Sequence, residues 1–339
     1  MSAARATWIG PKMTDTAEDI LYAPAEVSRL TLTAIETLER TRDTGIKFHL
    51  PGVENDLLPA RPGELITVLA LSSSWKTGLM QWVCRKTAEA LPAAGDECVI
   101  YATWEVAIEE LGMLDIANAT GIDVSDLAQG KITDWESLKR AAIRRGTMPI
   151  YVLGHSLERR KRRPQLTLTN VALALRIMED ELNLRPRLIA LDYLQRMQRE
   201  GDDEPRLQFS RNVDRCKDMA LALGCPVLLG CQAKQEVMAR SIKLPRLNDG
   251  QETSNLMHTP DKIISLWRPA VTNGLGTKIT LGGDEITVAE DTLIVCVAKQ
   301  RFGRVGGYWL LKVDFATNQV LGQVDLRLKD QTWTREAQE

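Results

Sequence analysis

Residues 188–195 read Leu188-Ile189-Ala190-Leu191-Asp192-Tyr193-Leu194-Gln195. Four successive apolar residues ended by one carboxylate mark a strand buried on both faces that delivers a single charge at its C-terminal end. Working outward, the chain alternates between two periods. Strands are predicted at 64–70, 98–105, 149–153 and 187–192, separated by helices at 76–90, 107–119, 134–145 and 168–182. Beyond them come a helix at 209–223, a strand at 226–232, and strand-like runs at 262–267, 292–299 and 308–315. Short strands separated by helices imply an α/β fold, with a mostly parallel sheet covered by helices on both faces.

The flanks are read in the same way. Residues 25–42 form a predicted helix with Val27, Leu30, Ala34, Ile35 and Leu38 along one stripe. That stripe either packs on its own domain or docks on a neighbouring subunit. Residues 271–290, with Gly282-Gly283, predict a hairpin excursion. The expected organisation is an arm and helix over 1–43, one large domain over 44–318, and a weakly patterned tail over 319–339.

Composition narrows the class without naming it. The 339 residues are 44% hydrophobic and 26% charged, with a net charge of −2. That is ordinary for a soluble globular protein and gives no global sign of nucleic acid. No apolar run reaches the roughly 20 residues of a membrane span, and Met1 to Lys12 lacks a signal-peptide core. The six cysteines form no C-x-x-C pair, so free buried thiols in a reducing cytoplasm are expected. His49, His155 and His258 are scattered and suggest neither a metal site nor a Ser-His-Asp hydrolase.

A strand, a loop and then Lys76-Thr77 opening a helix is the setting of a phosphate-binding loop. Such a loop needs backbone N–H groups around the phosphates, a lysine on the outer oxygens and a hydroxyl on Mg²⁺. Ala70-Leu71-Ser72-Ser73-Ser74-Trp75-Lys76-Thr77 has this layout, with Ala70 and Trp75 where G-x-x-x-x-G-K-[ST] carries glycine. Glycine lets the backbone turn and approach phosphate without a Cβ, so Trp75 is the main departure. Read alone, the segment is equally a serine-rich turn ahead of a helix.

Asp192-Tyr193-Leu194-Gln195 resembles the Walker B segment of the DnaB-type replicative helicases, and other segments follow in that family's order. The resemblance implies a RecA-like P-loop NTPase core, with ATP and Mg²⁺ as cofactors. Ser73, Ser74, Trp75, Lys76, Thr77 and Asp192 would form the nucleotide site, with Thr77 and Asp192 at the metal. Tyr101-Ala102-Thr103-Trp104-Glu105, continued by Glu109 and Leu111 and by 127–139, resembles the segment that presents the catalytic glutamate, here Glu105. A general base there activates the attacking water; otherwise Glu105 is an acid favouring a helix N-terminus. Gln232, closing the strand at 226–232, matches the glutamine that senses the γ-phosphate, or else caps a strand. Lys299 and Arg301 of Ala298-Lys299-Gln300-Arg301 match residues that reach the adjacent subunit's nucleotide, the arginine as a finger in trans. The alternative is basic groups exposed after a strand.

Residues 248–261 resemble the family loop that touches single-stranded DNA, with Gln251 in place of the usual arginine and Ser254 in place of glycine. The expected DNA contacts are Lys234, Arg240, Arg246, Gln251, Glu252, Thr253 and Ser254, binding without regard to sequence. The basic run at 158–163 is a solvated loop by default, with nucleic acid or an acidic partner as its alternative use.

The resemblance therefore implies an ATP-driven homo-oligomeric ring, a hexamer, tracking on single-stranded DNA, with the 25–42 helix tying each subunit to the next. A loader and replication or mobile-element proteins are its implied partners. The competing reading is a RecA-like scaffold that recruits partners to nucleic acid without hydrolysing ATP, which Trp75 and Gln251 favour. A recombinase-type or clock-type ATPase fits the 192–195 and 248–261 segments less well.

Overall fold

The computed structural model describes residues 22–40, 45–92, 95–158, 165–197, 204–250 and 255–324. The first half of the chain carries α1 (Pro24–Arg40), β1 (Leu65–Ala70), α2 (Lys76–Glu89), β2 (Glu97–Thr103), α3 (Ile108–Thr120), α4 (Val124–Ala128), α5 (Trp135–Thr147), β3 (Ile150–Leu153) and α6 (Leu168–Leu182). Then follow β4 (Arg185–Asp192), α7 (Pro205–Leu223), β5 (Val227–Gln232), α8 (Asn255–His258), β6 (Lys262–Trp267) and α9 (Pro269–Thr272). The last strands are β7 (Lys278–Leu281), β8 (Asp284–Thr287), β9 (Thr292–Gln300), β10 (Tyr308–Asp314) and β11 (Gln319–Val324).

Nine strands form one sheet in the order β11-β10-β9-β6-β1-β5-β4-β2-β3. From β6 to β3 every pairing is parallel; β9, β10 and β11 are antiparallel. The expected α/β fold with helices on both faces is therefore present. Strand β1 shows why. All six residues are buried, and they alternate: Ile66, Val68 and Ala70 join one core with Leu79, Met80 and Val83 of α2. Leu65 and Leu69 face the other core, with Val171 and Leu175 of α6 and Val213 and Met219 of α7. A central parallel strand must be apolar on both sides because each side meets a helix.

The 271–290 excursion is the predicted hairpin, β7 and β8 joined at Gly282-Gly283. Ile279, Leu281 and Ile286 cover a third apolar cluster containing Trp267. Strand β2 ends at Thr103, so Trp104 and Glu105 lie beyond it rather than within it. The tail is more ordered than its pattern suggests: β11 pairs with β10 and carries the sheet past residue 318. An edge strand needs only one apolar face, which leaves little signal in six residues.

Helix α1 forms where its stripe predicts, but every side chain from Tyr22 to Glu39 is exposed, including Val27, Leu30, Ile35 and Leu38. Packing against its own domain is thus not how the stripe is used. No described helix is long and apolar enough to cross a membrane. All six cysteines are buried and free, as their scatter predicted.

Candidate active site

After β1 the chain turns tightly, with Ser74 N donating to Leu71 O at 3.3 Å. Ser73 (φ 60°) and Trp75 (φ 66°) both adopt the left-handed conformation. Each costs a non-glycine residue about 1–2 kcal/mol, so the loop keeps a glycine-type path without glycine. Trp75 is the residue that caps α2. Its indole Nε1 donates to Asn318 Oδ1 at 2.6 Å and its ring meets Phe315 edge-on at 6.2 Å. The ring is thus held by the β10–β11 turn while the loop backbone curls ahead of Lys76.

Asp192 is the centre of the arrangement. Its carboxylate is fully buried and accepts from Lys76 Nζ at 2.7 Å, Thr77 Oγ1 at 2.6 Å and Tyr101 OH at 3.0 Å. Burial and the neighbouring carboxylate push the Tyr101 phenol far up, so it stays a donor. Lys76 Nζ also lies 3.6 Å from the centroid of the Tyr193 ring. Gly230 on β5 makes room here: a Cβ would meet Met80 Sδ and Tyr193 Cβ at 3.0 Å and Asp192 Oδ1 at 3.1 Å. A loop that opens a helix with lysine and threonine, facing one buried carboxylate, is a donor set for a polyphosphate and its divalent cation. Thr77 and Asp192 supply one hydroxyl and one carboxylate, suiting a magnesium that keeps phosphate and water as its other ligands. Ser74 Oγ, buried and without a hydrogen-bond partner, is a spare polar atom beneath the same loop. The residues therefore fit Mg²⁺-nucleotide.

Lys76, Thr77 and Tyr193 line a cleft of about 370 Å³ that also includes Ser73, Trp75, Glu105, Gln232, Arg268 and Phe315. Glu105 is exposed on the turn after β2, which Thr103 Oγ1 pins by bonding both N and O of Val106, at 3.1 and 3.0 Å. Trp104 N donates to Asp192 O at 3.0 Å, fixing that turn to β4. The Tyr193 hydroxyl and then the Glu105 carboxylate raise Arg196 above the ordinary guanidinium range. Gln195 holds Gln232 through its backbone: Oε1 accepts from Gln232 N at 3.1 Å. The structure thus brings together Ser73, Trp75, Lys76, Thr77, Asp192, Glu105 and Gln232. Arg268, whose guanidinium lies 3.7 Å over the Phe315 ring, was missed from sequence. Its signal was available: it follows the C-terminal end of a parallel strand, where α/β sheets collect ligands.

Lys299 and Arg301 lie elsewhere. Strand β9 runs antiparallel to β6, pairing Gln300 with Lys262, so both residues sit at the end of the sheet opposite the cleft. With about 3.3 Å per residue, β6 puts roughly 20 Å between the two ends. Arg301 Nε is 3.2 Å from Asp261 Oδ1 and Arg301 N donates to Asp261 O at 3.1 Å. Lys299 Nζ donates to Met257 O (2.8 Å) and His258 O (2.7 Å) at the end of α8. Burial, and then the charge of Arg301, lower the Lys299 ammonium below the usual lysine range.

The expected DNA face is divided. Lys234 is exposed, with Nζ donating to Asn248 O at 3.3 Å. Arg240 forms a two-pronged bond with Asp249, at 2.5 and 2.6 Å, so its charge is already matched inside the chain. Arg246 is half-buried and its backbone N donates to Asp249 Oδ2 at 2.7 Å. Gln251, Glu252, Thr253, Ser254 and the basic run at 159–163 lie outside the described residues.

The family profile described as the DnaB-like helicase C terminal domain matches residues 45–318. The replicative DNA helicase DnaB of Nostoc sp. is 29% identical over 205 residues, 60% of this chain and 22% of the relative. That of Pasteurella multocida is 24% identical over 285 residues, covering 81% of this chain and 56% of the relative. The chain thus spans at most about half the length of these two relatives. A solved ATPase domain superposes with a TM-score of 0.73 at 18% identity, covering 88% of this chain and 99% of that one. A DnaB-like replicative helicase, solved in a study of its interactions with primase, gives 0.70 at 18%, covering 86% and 65%. With the matched segment running from before β1 through β10, the chain belongs to the DnaB-like helicase C-terminal domain family.

Proposed function

We propose that this chain is the motor domain of a DnaB-like ring, a hexamer, that hydrolyses ATP between subunits and moves along single-stranded DNA. The observation that carries the reading is one cleft lined by Lys76, Thr77, Glu105 and Gln232, with Lys76 and Thr77 both bonded to the buried Asp192. Lys76 and the N–H groups opening α2 bind the phosphates. Thr77 and Asp192 would hold Mg²⁺, which when bound offsets charge on the phosphate oxygens. Glu105, exposed and lining the cleft, orients the attacking water and takes its proton. Gln232, held through its backbone by Gln195, contacts the terminal phosphate. Lys299 and Arg301 serve a neighbouring copy's nucleotide, since their own cleft is at the far end of the sheet. The exposed stripe of α1 docks on an adjacent subunit. Lys234 and Arg246 contact the DNA strand. A loader and other replication or mobile-element proteins are the partners such a motor would meet, in the cytoplasm.

A second reading is favoured by Trp75, left-handed at a position where the motif carries glycine. It makes the chain an oligomeric scaffold that recruits proteins to nucleic acid. ATP turnover with and without single-stranded DNA, in the natural chain and in Glu105→Gln, separates the two. DNA-stimulated turnover lost in Glu105→Gln supports the motor. Absence of turnover in the natural chain, with oligomers intact, supports the scaffold.

A further inference from the structure

The phosphate loop of this chain lacks both usual glycines, yet it follows a glycine-type path. Something outside the loop must hold it there. The glycine has in effect moved three residues onward, to Gly78 on the first turn of α2. A Cβ at Gly78 would lie 2.0 Å from Trp75 Nε1, 2.2 Å from Trp75 Cδ1 and 2.7 Å from Asn318 Oδ1. The missing side chain of Gly78 is therefore the seat of the indole. Asn318 is itself in a left-handed conformation (φ 53°) and 1% exposed. Its backbone O accepts from Asn118 Nδ2 of α3 at 2.8 Å, and its side-chain amide donates to Gln81 Oε1 of α2 at 3.4 Å. Gln319 Nε2 donates to Asn118 O at 2.8 Å, doubling the tie to α3. The turn that receives the indole is thus braced from two helices.

We infer that Trp75, Gly78 and Asn318 form a clasp that replaces the missing glycine and holds residues 71–77 in the shape that receives phosphate. A glycine loop is free to turn but also free to leave the turn, because its left-handed conformation costs little and is little defended. Here the left-handed conformation of Trp75 is unfavourable by itself, and a part-buried hydrogen bond with an aromatic contact offsets it. The result is a loop already ordered before ligand arrives, so less ordering is paid for on binding. Trp75 and Asn318 act as positioning residues for nucleotide. That last step rests on the nucleotide reading of the cleft; the holding of the loop does not.

The test uses the full chain and two measurements. Hydrogen exchange of the 71–82 peptide is followed without nucleotide in the natural protein, Trp75→Phe, Asn318→Ala and the double variant. Trp75→Phe keeps a ring and removes the N–H; Asn318→Ala removes the acceptor. Each single variant is expected to speed exchange of that peptide about five- to tenfold, the worth of one hydrogen bond. The double variant should be no faster than the worse single one, and peptides from β6 and β9 should be unchanged. Fluorescent mant-ADP with Mg²⁺ is then titrated, and ATP turnover measured in Asn318→Ala. Affinity should fall by the same factor, with KM raised and kcat retained. Loop exchange unchanged in both single variants, or multiplied in the double variant, overturns the clasp. Faster loop exchange with no mant-ADP binding by the natural protein keeps the clasp and removes the nucleotide reading instead. Faster exchange with unaltered mant-ADP affinity overturns the positioning role.

Discussion

Asp261 and Arg301 touch each other, yet the structure gives them opposite weights, and substituting each with alanine separates them. The Asp261 side chain is buried and accepts from Leu65 N at 2.8 Å and from Lys217 Nζ at 2.7 Å, with Arg301 Nε paired to it at 3.2 Å. In Asp261→Ala the Leu65 N–H is left buried without a partner, at about 1–3 kcal/mol. Lys217 is 19% exposed and keeps Gly63 O at 2.7 Å, so its share is smaller, about 1 kcal/mol. The Arg301 side chain is 55% exposed, and its screened pair contributes under about 0.5 kcal/mol. The total is about 3 kcal/mol of lost stability. Arg301→Ala removes only the last share and keeps the backbone bond from Arg301 N to Asp261 O, so it should unfold within about 0.5 kcal/mol of the natural chain. On the proposed reading its turnover should fall about 10³-fold or more, as loss of an arginine finger does. Urea unfolding followed by circular dichroism, alongside ATP turnover, measures both. Equal destabilisation by the two variants, or a loss below about 1 kcal/mol for Asp261→Ala, would refute this account of Asp261.

Four other outcomes follow from the same kind of reasoning. Gly230→Ala should displace the Asp192 carboxylate, which its Cβ would meet at 3.1 Å, and weaken Mg²⁺-nucleotide binding more than it lowers the unfolding midpoint; a titration showing unchanged affinity would count against it. Lys234→Ala should weaken single-stranded DNA binding and flatten its salt dependence by about 0.7 in the log–log slope. Arg240→Ala should act mainly on stability, because it leaves the buried Asp249 without its guanidinium; an unchanged unfolding curve would contradict that. Stability should also fall as pH rises above 9. Burial raises Cys98 to about 11 and Cys216 and Cys296 to about 12, and pushes Cys84 and Cys225 up as well. Unfolded thiols lose their protons near 9, while folded ones keep them, so the folded state holds more protons there and the balance tips toward unfolding. The lowered lysines Lys262 and Lys299 work the other way but are fewer. Urea midpoints from pH 8 to 11 give the sign directly.

How far the sequence could be read depended on distance along the chain. The strand ending at Asp192 and the helix opening at Lys76 were legible because apolar runs and local turns carry their own signal. The departure at Trp75 was visible, but its answer, Asn318, lies 243 residues away and has no local mark. Arg240 read as an available cation because its carboxylate partner, Asp249, sits inside a segment that was read as DNA-contacting. Strand β11 was hidden by its shortness and edge position. Glu105 was placed at a strand end, and the structure moves it two residues past it, onto a turn that Thr103 fixes. A distant partner accounts for Trp75, a carboxylate nine residues on for Arg240, and local geometry for Glu105 and β11.

The reversal of direction between β6 and β9 has an arithmetical consequence. One copy of the chain owns a cleft at one end of its sheet and a finger at the other, so each working site on the proposed reading is half of one copy and half of the next. Such a head-to-tail contact presents different surfaces from its two members. A copy damaged at Glu105 still lends a sound finger, and one damaged at Arg301 still offers a sound cleft. Mixed in equal amounts, two individually dead variants would rebuild about one site in four by random placement around a ring.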